Sequence, residues 1–130
     1  MKHADLTDKI IACFFVVYNE LGYGFLESVY LRAMVIELEK MGLRVQVEYP
    51  IRVYYAGQIV GEFFADLLVE GLVIVELKAV STVSIQHHAQ LLNYLNATRH
   101  EVGLLLNFGL KPEIKRKVFD NERKTYIAHG

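Results

Sequence analysis

The chain of 130 residues lacks several features that would assign it to particular classes of protein. Its one cysteine, Cys13, cannot form an intramolecular disulfide, and its apolar neighbours are typical of a buried thiol in a reducing compartment. No apolar run reaches the roughly 18 residues that a membrane helix needs, and no signal peptide is evident at the start. The sequence therefore predicts no membrane association and, by default, a cytoplasmic location.

Charge excess and common binding motifs are lacking too. The formal net charge is −1, so the whole chain has no positive excess to attract nucleic acid, although only local charge matters at a catalytic cleft. No His/Cys spacing matches a zinc site, and Gly22 and Gly24 lack the lysine and preceding strand of a phosphate-binding loop. The absence of repeats, linkers and low-complexity tracts predicts one domain over residues 1–130.

Helical spacing of apolar residues fills the first third of the chain. A first helix is predicted with Thr7 or Asp5 as its cap, and the glycines near position 22 end it. The residues that recur at helical spacing along it are Ile10, Phe14, Val17, Tyr18 and Leu21. A second helix is predicted over residues 25–41, with Gly42 as its C-terminal cap. The predicted core stripe of this second helix consists of Leu26, Val29, Ala33, Ile36 and Met41.

The pattern then changes to a period of two, which is typical of strands. Residues 44–49 alternate, and the Ala56–Gly57 pair lies between two runs that read as a hairpin. The next run, Leu72 to Leu77, is almost wholly apolar, which predicts a central strand. A helix is predicted from Ser81 or Thr82 to about Ala97.

The core stripe of that third helix is predicted at Ile85, Ala89 and Leu92. An apolar strand follows over residues 102–108, and residues 114–119 are compatible with an edge strand or a short helix. The order α-α-β-β-β-α-β predicts an α/β (α+β) fold, in which helices pack on a mixed sheet.

Charged residues interrupt two of the predicted strands. Glu76 and Lys78 lie near the end of the third strand and project together, because alternate residues share a face. Asp66 lies earlier, across the turn at Glu70–Gly71. A two-residue loop there would place Asp66 and Glu76 on opposite faces, whereas a three-residue loop or a bulge would place them on one face. An active site at these residues therefore predicts an irregular hairpin.

These residue types suit a magnesium site. Two carboxylates and a backbone carbonyl between them, such as that of Leu77, form the oxygen ligand set that Mg²⁺ or Mn²⁺ prefers. A lysine beside them can orient or deprotonate a water and offset developing negative charge. The alternative is an ordinary ion pair between Glu76 and Lys78, because acid-x-Lys triplets occur by chance in most proteins.

Two helices offer further polar candidates. Glu27 lies at the start of the second helix, where it either compensates the helix dipole or acts as a metal ligand. Tyr30 shares its face and could supply a positioning hydroxyl. Gln90 and Tyr94, spaced i, i+4, either hold phosphate oxygens or bases or form a solvated polar face.

The segment Gly24-Phe-Leu-Glu27-Ser-Val-Tyr30 resembles the G-x-x-E-x-x-Y signature of bacterial GxxExxY proteins, which look like members of the PD-(D/E)XK nuclease superfamily. The likeness covers nearly the whole chain in order, with only the last twenty residues loosely placed. Ala65 stands where the family pattern has proline before the aspartate. The other matching segments begin at Asp66, Glu76, Gln90 and Gly103.

The resemblance implies a restriction-endonuclease-like core, with a mixed four-stranded sheet flanked by helices, and a metal-dependent nuclease that hydrolyses phosphodiester bonds, most simply in DNA. It implies that Asp66 and Glu76 bind Mg²⁺, that Glu27 is an additional acid and that Lys78 is the catalytic lysine. Gln90 and Tyr94 match the Q-x-x-x-Y element of RecB-like nucleases, which lies near the site.

Two other functions stay open. One is a catalytically inactive nuclease-fold module that binds nucleic acid or a protein partner. The other is a structural interaction domain in which the polar cluster is only an ion-pair network. A homodimer would suit cleavage of both strands of a duplex, and its predicted surface consists of Phe14, Phe15, Tyr54 and Tyr55.

Overall fold

The computed structural model describes residues 1–124, and within them five strands form one mixed sheet flanked by helices. The helices are α1 (Ala4–Leu21), α2 (Glu27–Lys40) and α3 (Ile85–Asn96), with a 3₁₀ turn at Asn121–Arg123. The strands are β1 (Val45–Tyr55), β2 (Gln58–Val69), β3 (Val73–Lys78), β4 (Val102–Phe108) and β5 (Pro112–Val118). The predicted fold class is confirmed, but the sheet has five strands instead of four, because the ambiguous segment after residue 111 is the edge strand β5.

The strands follow the sheet order β1-β2-β3-β4-β5, in which β3 and β4 are parallel and all other neighbours are antiparallel. Helices α1 and α2 pack on one face of the sheet and α3 packs on the other. Every residue of β4 is buried, and so is every residue of β3 except Lys78. Both strands are therefore central, as their continuous apolar runs predicted.

The predicted core stripes of α2 and α3 are wrong. Helix α2 buries Tyr30, Met34 and Leu38, whereas Leu26 and Ile36 are exposed. This helix carries apolar residues on two sides, so its period alone could not select the inward side. The buried residues of α3 are Leu91, Tyr94 and Leu95, whereas Ile85 and Ala89 are exposed.

Helix α1 forms where its apolar spacing predicted a helix, and Ile10, Phe14 and Val17 lie in the core. Phe14 contacts the Phe108 ring at a centroid distance of 4.7 Å, so the prediction that it belongs to a dimer surface is wrong. Tyr55, from the same predicted surface, is exposed. Within residues 1–124, no helix is both long enough and apolar enough to cross a membrane.

At Glu48 on β1 and Asp66 on β2, the alternation of side chains between the two faces of the sheet is interrupted. Ala65 packs against α3, but Leu67, two residues on, packs against α1 and α2, although such residues share a face in a regular strand. On β1, Glu48 lies between the partners of these two residues, and its φ of 54° is left-handed. Residues 49–65, called the arm below, are thereby turned over α3.

Candidate active site

The loop between β2 and β3 sets the position of the two acidic residues. Val69 pairs with Val73, so the loop contains three residues, Glu70, Gly71 and Leu72. Glu70 and Gly71 both have positive φ, at 55° and 66°. This is the irregular hairpin that a shared active-site face required. Leu67 pairs with Val75. Asp66 and Glu76 are one residue further from the hairpin loop on each strand, so they lie opposite each other.

The backbone hydrogen bonds between β2 and β3 end at Asp66 and Glu76. Beyond that point the backbone N–H groups donate to carboxylate oxygens instead of to backbone carbonyls. The backbone N–H of Asp66 donates to Glu76 Oε2 at 2.7 Å, and the backbone N–H of Leu77 donates to Asp66 Oδ2 at 2.7 Å. Each acidic side chain thus accepts a bond from the opposite strand. Glu76 Oε1 and Asp66 Oδ1 make no hydrogen bond among residues 1–124.

Burial and neighbouring acidic charges raise the pKa of both carboxyl groups. Burial, followed by the charge of Asp66, raises the pKa of Glu76 to about 8, and only 4% of Glu76 is exposed. Burial also raises the pKa of Asp66, while its hydrogen bond from Leu77 opposes the rise. The structure thus holds two carboxylates side by side in a site where neither ionises easily. A positive ligand between them would relieve both costs.

Lys78 supplies a positive charge that acts on both members of the pair. It is half-buried at the end of β3, two residues from Glu76, and its charge lowers the pKa of both Asp66 and Glu76. It makes no salt bridge with either residue, and no other salt bridge of Lys78 occurs in the part of the chain that the structure describes. The structure therefore does not support the alternative of an ordinary Glu76–Lys78 ion pair.

Two further acidic residues act on the pair from a distance. Glu27 is exposed at the start of α2, on the other face of the sheet, and its charge raises the pKa of both Asp66 and Glu76. Glu48, opposite Asp66 on β1, raises the pKa of Asp66. In residues 1–124, no three His, Cys, Asp or Glu side chains converge closely enough to hold a metal ion. The pair of Asp66 and Glu76 is thus the acidic centre, and Glu27 lies outside it.

Tyr30 does not share the cleft with Glu27. Its side chain is fully buried and stacks on the Phe108 ring at a centroid distance of 4.1 Å. Its hydroxyl donates to the Gly22 carbonyl at 2.6 Å and accepts from the Phe25 backbone N–H at 3.2 Å. The prediction of a hydroxyl available to substrate is therefore wrong. Tyr30 holds the loop that leads into α2, because both sides of its hydroxyl are occupied.

Helix α3 brings Gln90 and Tyr94 to the same face of the sheet as Glu76. Burial, and then the charges of Glu76 and Asp66, raise the pKa of Tyr94 to about 12, while the Gln90 amide opposes the rise. Its phenol therefore stays protonated at any physiological pH and can donate a hydrogen bond. Both residues also line a cleft between α3 and the arm. The alternative of a wholly solvated polar face is wrong for Tyr94, which is buried.

Asn107 is a buried site residue to which the sequence analysis gave no role. It pairs in register with Lys78 across β3 and β4. Its Oδ1 accepts from the Val80 backbone N–H at 3.0 Å, and its Nδ2 donates to the Val80 carbonyl and to Glu113, each at 2.8 Å. The side chain thus fixes the backbone that leaves β3 after Lys78. One signal was available, namely a single polar residue within an apolar strand.

The family comparison agrees with this arrangement. A family model of the PD-(D/E)XK nuclease superfamily matches residues 4–117, which is most of the chain. Members of this superfamily are generally hydrolytic nucleases that typically use divalent metal ions, and the match does not resolve the GxxExxY subfamily. Neither a curated protein nor a solved structure matches the chain. The chain belongs to the PD-(D/E)XK nuclease superfamily.

Proposed function

We propose that this chain is a metal-dependent nuclease that hydrolyses phosphodiester bonds in DNA, with Asp66, Glu76 and Lys78 at its active site. One observation carries the proposal most directly. The irregular β2–β3 hairpin places Asp66 opposite Glu76 and ends the backbone ladder there, with each carboxylate bonded at 2.7 Å to the other strand. A sheet that only needed stability would continue its ladder, because burying a carboxylate pair costs free energy.

The ligand set fits a magnesium ion. Each carboxylate keeps one oxygen without a hydrogen bond among residues 1–124. A cation at that point would offset the burial and the neighbouring acidic charges that raise the pKa values of both residues. Mg²⁺ is usually bound by one or two carboxylates, with waters and substrate phosphates completing its shell, so two acidic side chains are enough. We assign Asp66, Glu76 and the Leu77 carbonyl as ligands of Mg²⁺, or of Mn²⁺, with Glu27 assisting through the metal's outer ligands.

The protein's own groups then have distinct roles. When bound, the divalent ion supplies Lewis-acid polarisation of the scissile phosphate and eases the ionisation of water. Lys78, on the same strand face as Glu76, orients the attacking water and offsets charge that develops on the phosphate. Gln90 and the protonated Tyr94 steady the substrate backbone as uncharged donors.

The first experiment measures metal binding apart from catalysis. Mg²⁺ and Mn²⁺ are titrated by calorimetry into the wild type and into Asp66→Ala in matched buffer. We expect binding by the wild type that is lost in the variant. Because a substrate phosphate completes some metal sites, the titration is repeated with a short DNA strand present. Equal binding by both proteins under both conditions would overturn the assignment of Asp66.

The second experiment measures cleavage of matched DNA and RNA oligonucleotides. We expect Lys78→Ala to lose metal-dependent cleavage while its thermal unfolding stays that of the wild type. Lys9→Ala, at an exposed lysine on α1, is the matched control and keeps full activity. Unchanged cleavage by Lys78→Ala would contradict the proposed role of this residue. A wild type that binds DNA equally with and without Mg²⁺ and never cuts would instead favour the inactive module.

The oligomeric state is a separate part of the proposal. A monomer is sufficient for cutting one strand, whereas cutting both strands of a duplex would use two copies of the chain. Phe15 and Tyr55 are the exposed members of the surface proposed for that contact. A solution mass near that of two chains, reduced to one chain by Tyr55→Ser, would support the dimer. A solution mass of one chain at every concentration would exclude it.

A further inference from the structure

A cleft of about 440 Å³ lies between the arm and helix α3. Phe63 of β2 and Tyr94 of α3 both line it, with ring centroids 6.0 Å apart and planes inclined by 38°. Tyr94 connects the cleft to the active site, because the charges of Glu76 and Asp66 act on its hydroxyl. The volume is in the range of pockets that hold small organic groups.

The lining of this cleft combines apolar, aromatic and amide side chains. Among residues 1–124, none of those that line the cleft is charged. Gln86, Gln90 and Asn93 line it from one ridge of α3, at spacing i, i+4 and i+7. Asn96 continues this row, and its buried Oδ1 has no hydrogen-bond partner in the described chain. Each amide offers a donor and an acceptor side by side, as the edge of a nucleobase does.

The two aromatic rings differ in how much surface they offer to a ligand. Tyr94 is 6% exposed and forms part of the floor, whereas Phe63 is 46% exposed and has an open ring face. The neighbouring Phe64 is also exposed, but it does not line the cleft. An open aromatic face beside hydrogen-bonding amides is the arrangement with which proteins hold single bases.

We propose that this cleft receives one unstacked nucleobase of the substrate strand, with the base on the Phe63 ring and its edge toward the amides of α3. The inference rests on the proposed nuclease function and specifies its substrate as nucleic acid with an unpaired base. Single strands, frayed ends and bases rotated out of a duplex meet this condition. The cleft itself is not expected to bind a phosphate, because none of its lining residues within 1–124 is a cation.

The test measures binding without cleavage. A fluorescent single-stranded oligonucleotide is titrated in EDTA into Glu76→Gln, which lacks one of the proposed metal ligands, and Kd is read from anisotropy. In this background, Phe63→Ala is expected to raise Kd roughly 5- to 150-fold, as the loss of one base–aromatic stack does. Phe64→Ala is the matched control, since it removes a ring of the same size from the next position, and its Kd should stay within about twofold because its ring stacks on no base.

Abasic substitution along the oligonucleotide then locates the bound base. One position is expected to raise Kd about as much as Phe63→Ala does, and combining the two changes should add little. A flat abasic scan, equal effects of Phe63→Ala and Phe64→Ala, no single-strand binding at all, or tighter binding of a blunt duplex would each overturn the base site. Metal-dependent cleavage by the wild type is measured separately, so the nuclease proposal survives or fails on its own result.

Discussion

Glu76 and Asn107 are buried polar residues on the two central parallel strands, and they are treated in opposite ways. Asn107 is 0% exposed, and both atoms of its amide are bonded, to Val80 and to Glu113. Glu76 is 4% exposed, but one of its oxygens accepts no bond from residues 1–124. Its pKa is raised to about 8 by burial and by Asp66.

The Asn107 amide therefore stabilises the fold, whereas the Glu76 carboxylate is an unfavourable group that the rest of the fold keeps buried. A buried amide with all its bonds made adds rigidity at little net cost, whereas a buried carboxylate beside another is costly until a cation or a proton joins it. Perturbed carboxylates gather at functional sites for this reason. Mutations at Glu76 should therefore lower activity and raise stability, and mutations at Asn107 should mainly lower stability.

The largest effect is expected for Glu76→Gln. Cleavage in Mg²⁺ should fall by at least roughly 100-fold, because the variant loses a metal ligand and its electrostatic contribution to the reaction. The free energy of unfolding at pH 8 without metal should rise at the same time. Steady-state cleavage and urea unfolding measure the two effects. Glu62→Gln, at an exposed position on β2, is the control and should change neither. Full activity in Glu76→Gln would show that this carboxylate is not needed for cleavage.

Asn107→Leu should lower the free energy of unfolding by about 2–4 kcal/mol, because the Val80 N–H and carbonyl would lose their only side-chain partner in the described chain. Urea denaturation measures this loss. Asn93→Leu, at an exposed position on α3, is the control and should stay within about 0.5 kcal/mol. The affinity for Mg²⁺ should be retained in Asn107→Leu. A variant as stable as the wild type would show that the Asn107 bonds do not hold the fold.

The free energy of unfolding should depend on pH because of Glu76, and Asn107 should contribute nothing to that dependence. The pKa of Glu76 is about 8 in the folded chain against an ordinary value of 4.5, so between these values the folded chain keeps a proton that the unfolded chain has lost. The stabilisation is complete below pH 4.5 and is lost as pH rises through 8. The slope should reach roughly 1.4 kcal/mol per pH unit for one proton.

Urea unfolding in EDTA across this pH range measures the slope. Glu76→Gln should flatten it, because the amide does not titrate in this range. Saturating Mg²⁺ should also flatten it, since a ligand of the folded state stabilises most where the carboxylates are ionised. A slope that persists unchanged in Glu76→Gln would assign the titration to another group.

The smallest effect is expected at Glu48, whose φ of 54° is costly for most side chains. Glu48→Gly should change the free energy of unfolding by less than about 1 kcal/mol, because relief of strain and greater unfolded-state entropy oppose each other. Glu48→Val should lose about 1–3 kcal/mol, because a β-branched residue fits this conformation poorly. Urea unfolding compares the two variants. Equal stability would show that the left-handed conformation relaxes without cost.

The sequence predicted most of the architecture, because β3 and β4 are continuous apolar runs and the turns carry glycine. It did not predict which side of α2 faces the sheet, because Leu26 and Ile36 form a second apolar stripe on that helix. Burial of a helix face depends on where the sheet lies, and local periodicity does not contain that information. The edge strand β5 was ambiguous because its residues are mainly charged.

The acidic pair could be named from the sequence, but its geometry could not be fixed, because the loop at Glu70 allowed two registers. Other residues near the site differ in whether a sequence feature marked them. Tyr30 matched a family signature, yet its hydroxyl serves the loop before α2. Phe63 and Glu48 had no local signal, since their roles follow from the change of face in β1 and β2. Roles of that kind arise only when distant strands meet.

The change of face at Glu48 and Asp66 has an evolutionary consequence. Beyond it the arm packs on α3, whereas Glu76 and Lys78 belong to the central sheet. Substitutions within residues 49–65 can therefore reshape the cleft without altering β3, the strand that carries Glu76 and Lys78. The proposed base cleft and the proposed catalytic strand can thus change separately. Relatives with the same carboxylate pair are thus free to diverge in the strand that they accept.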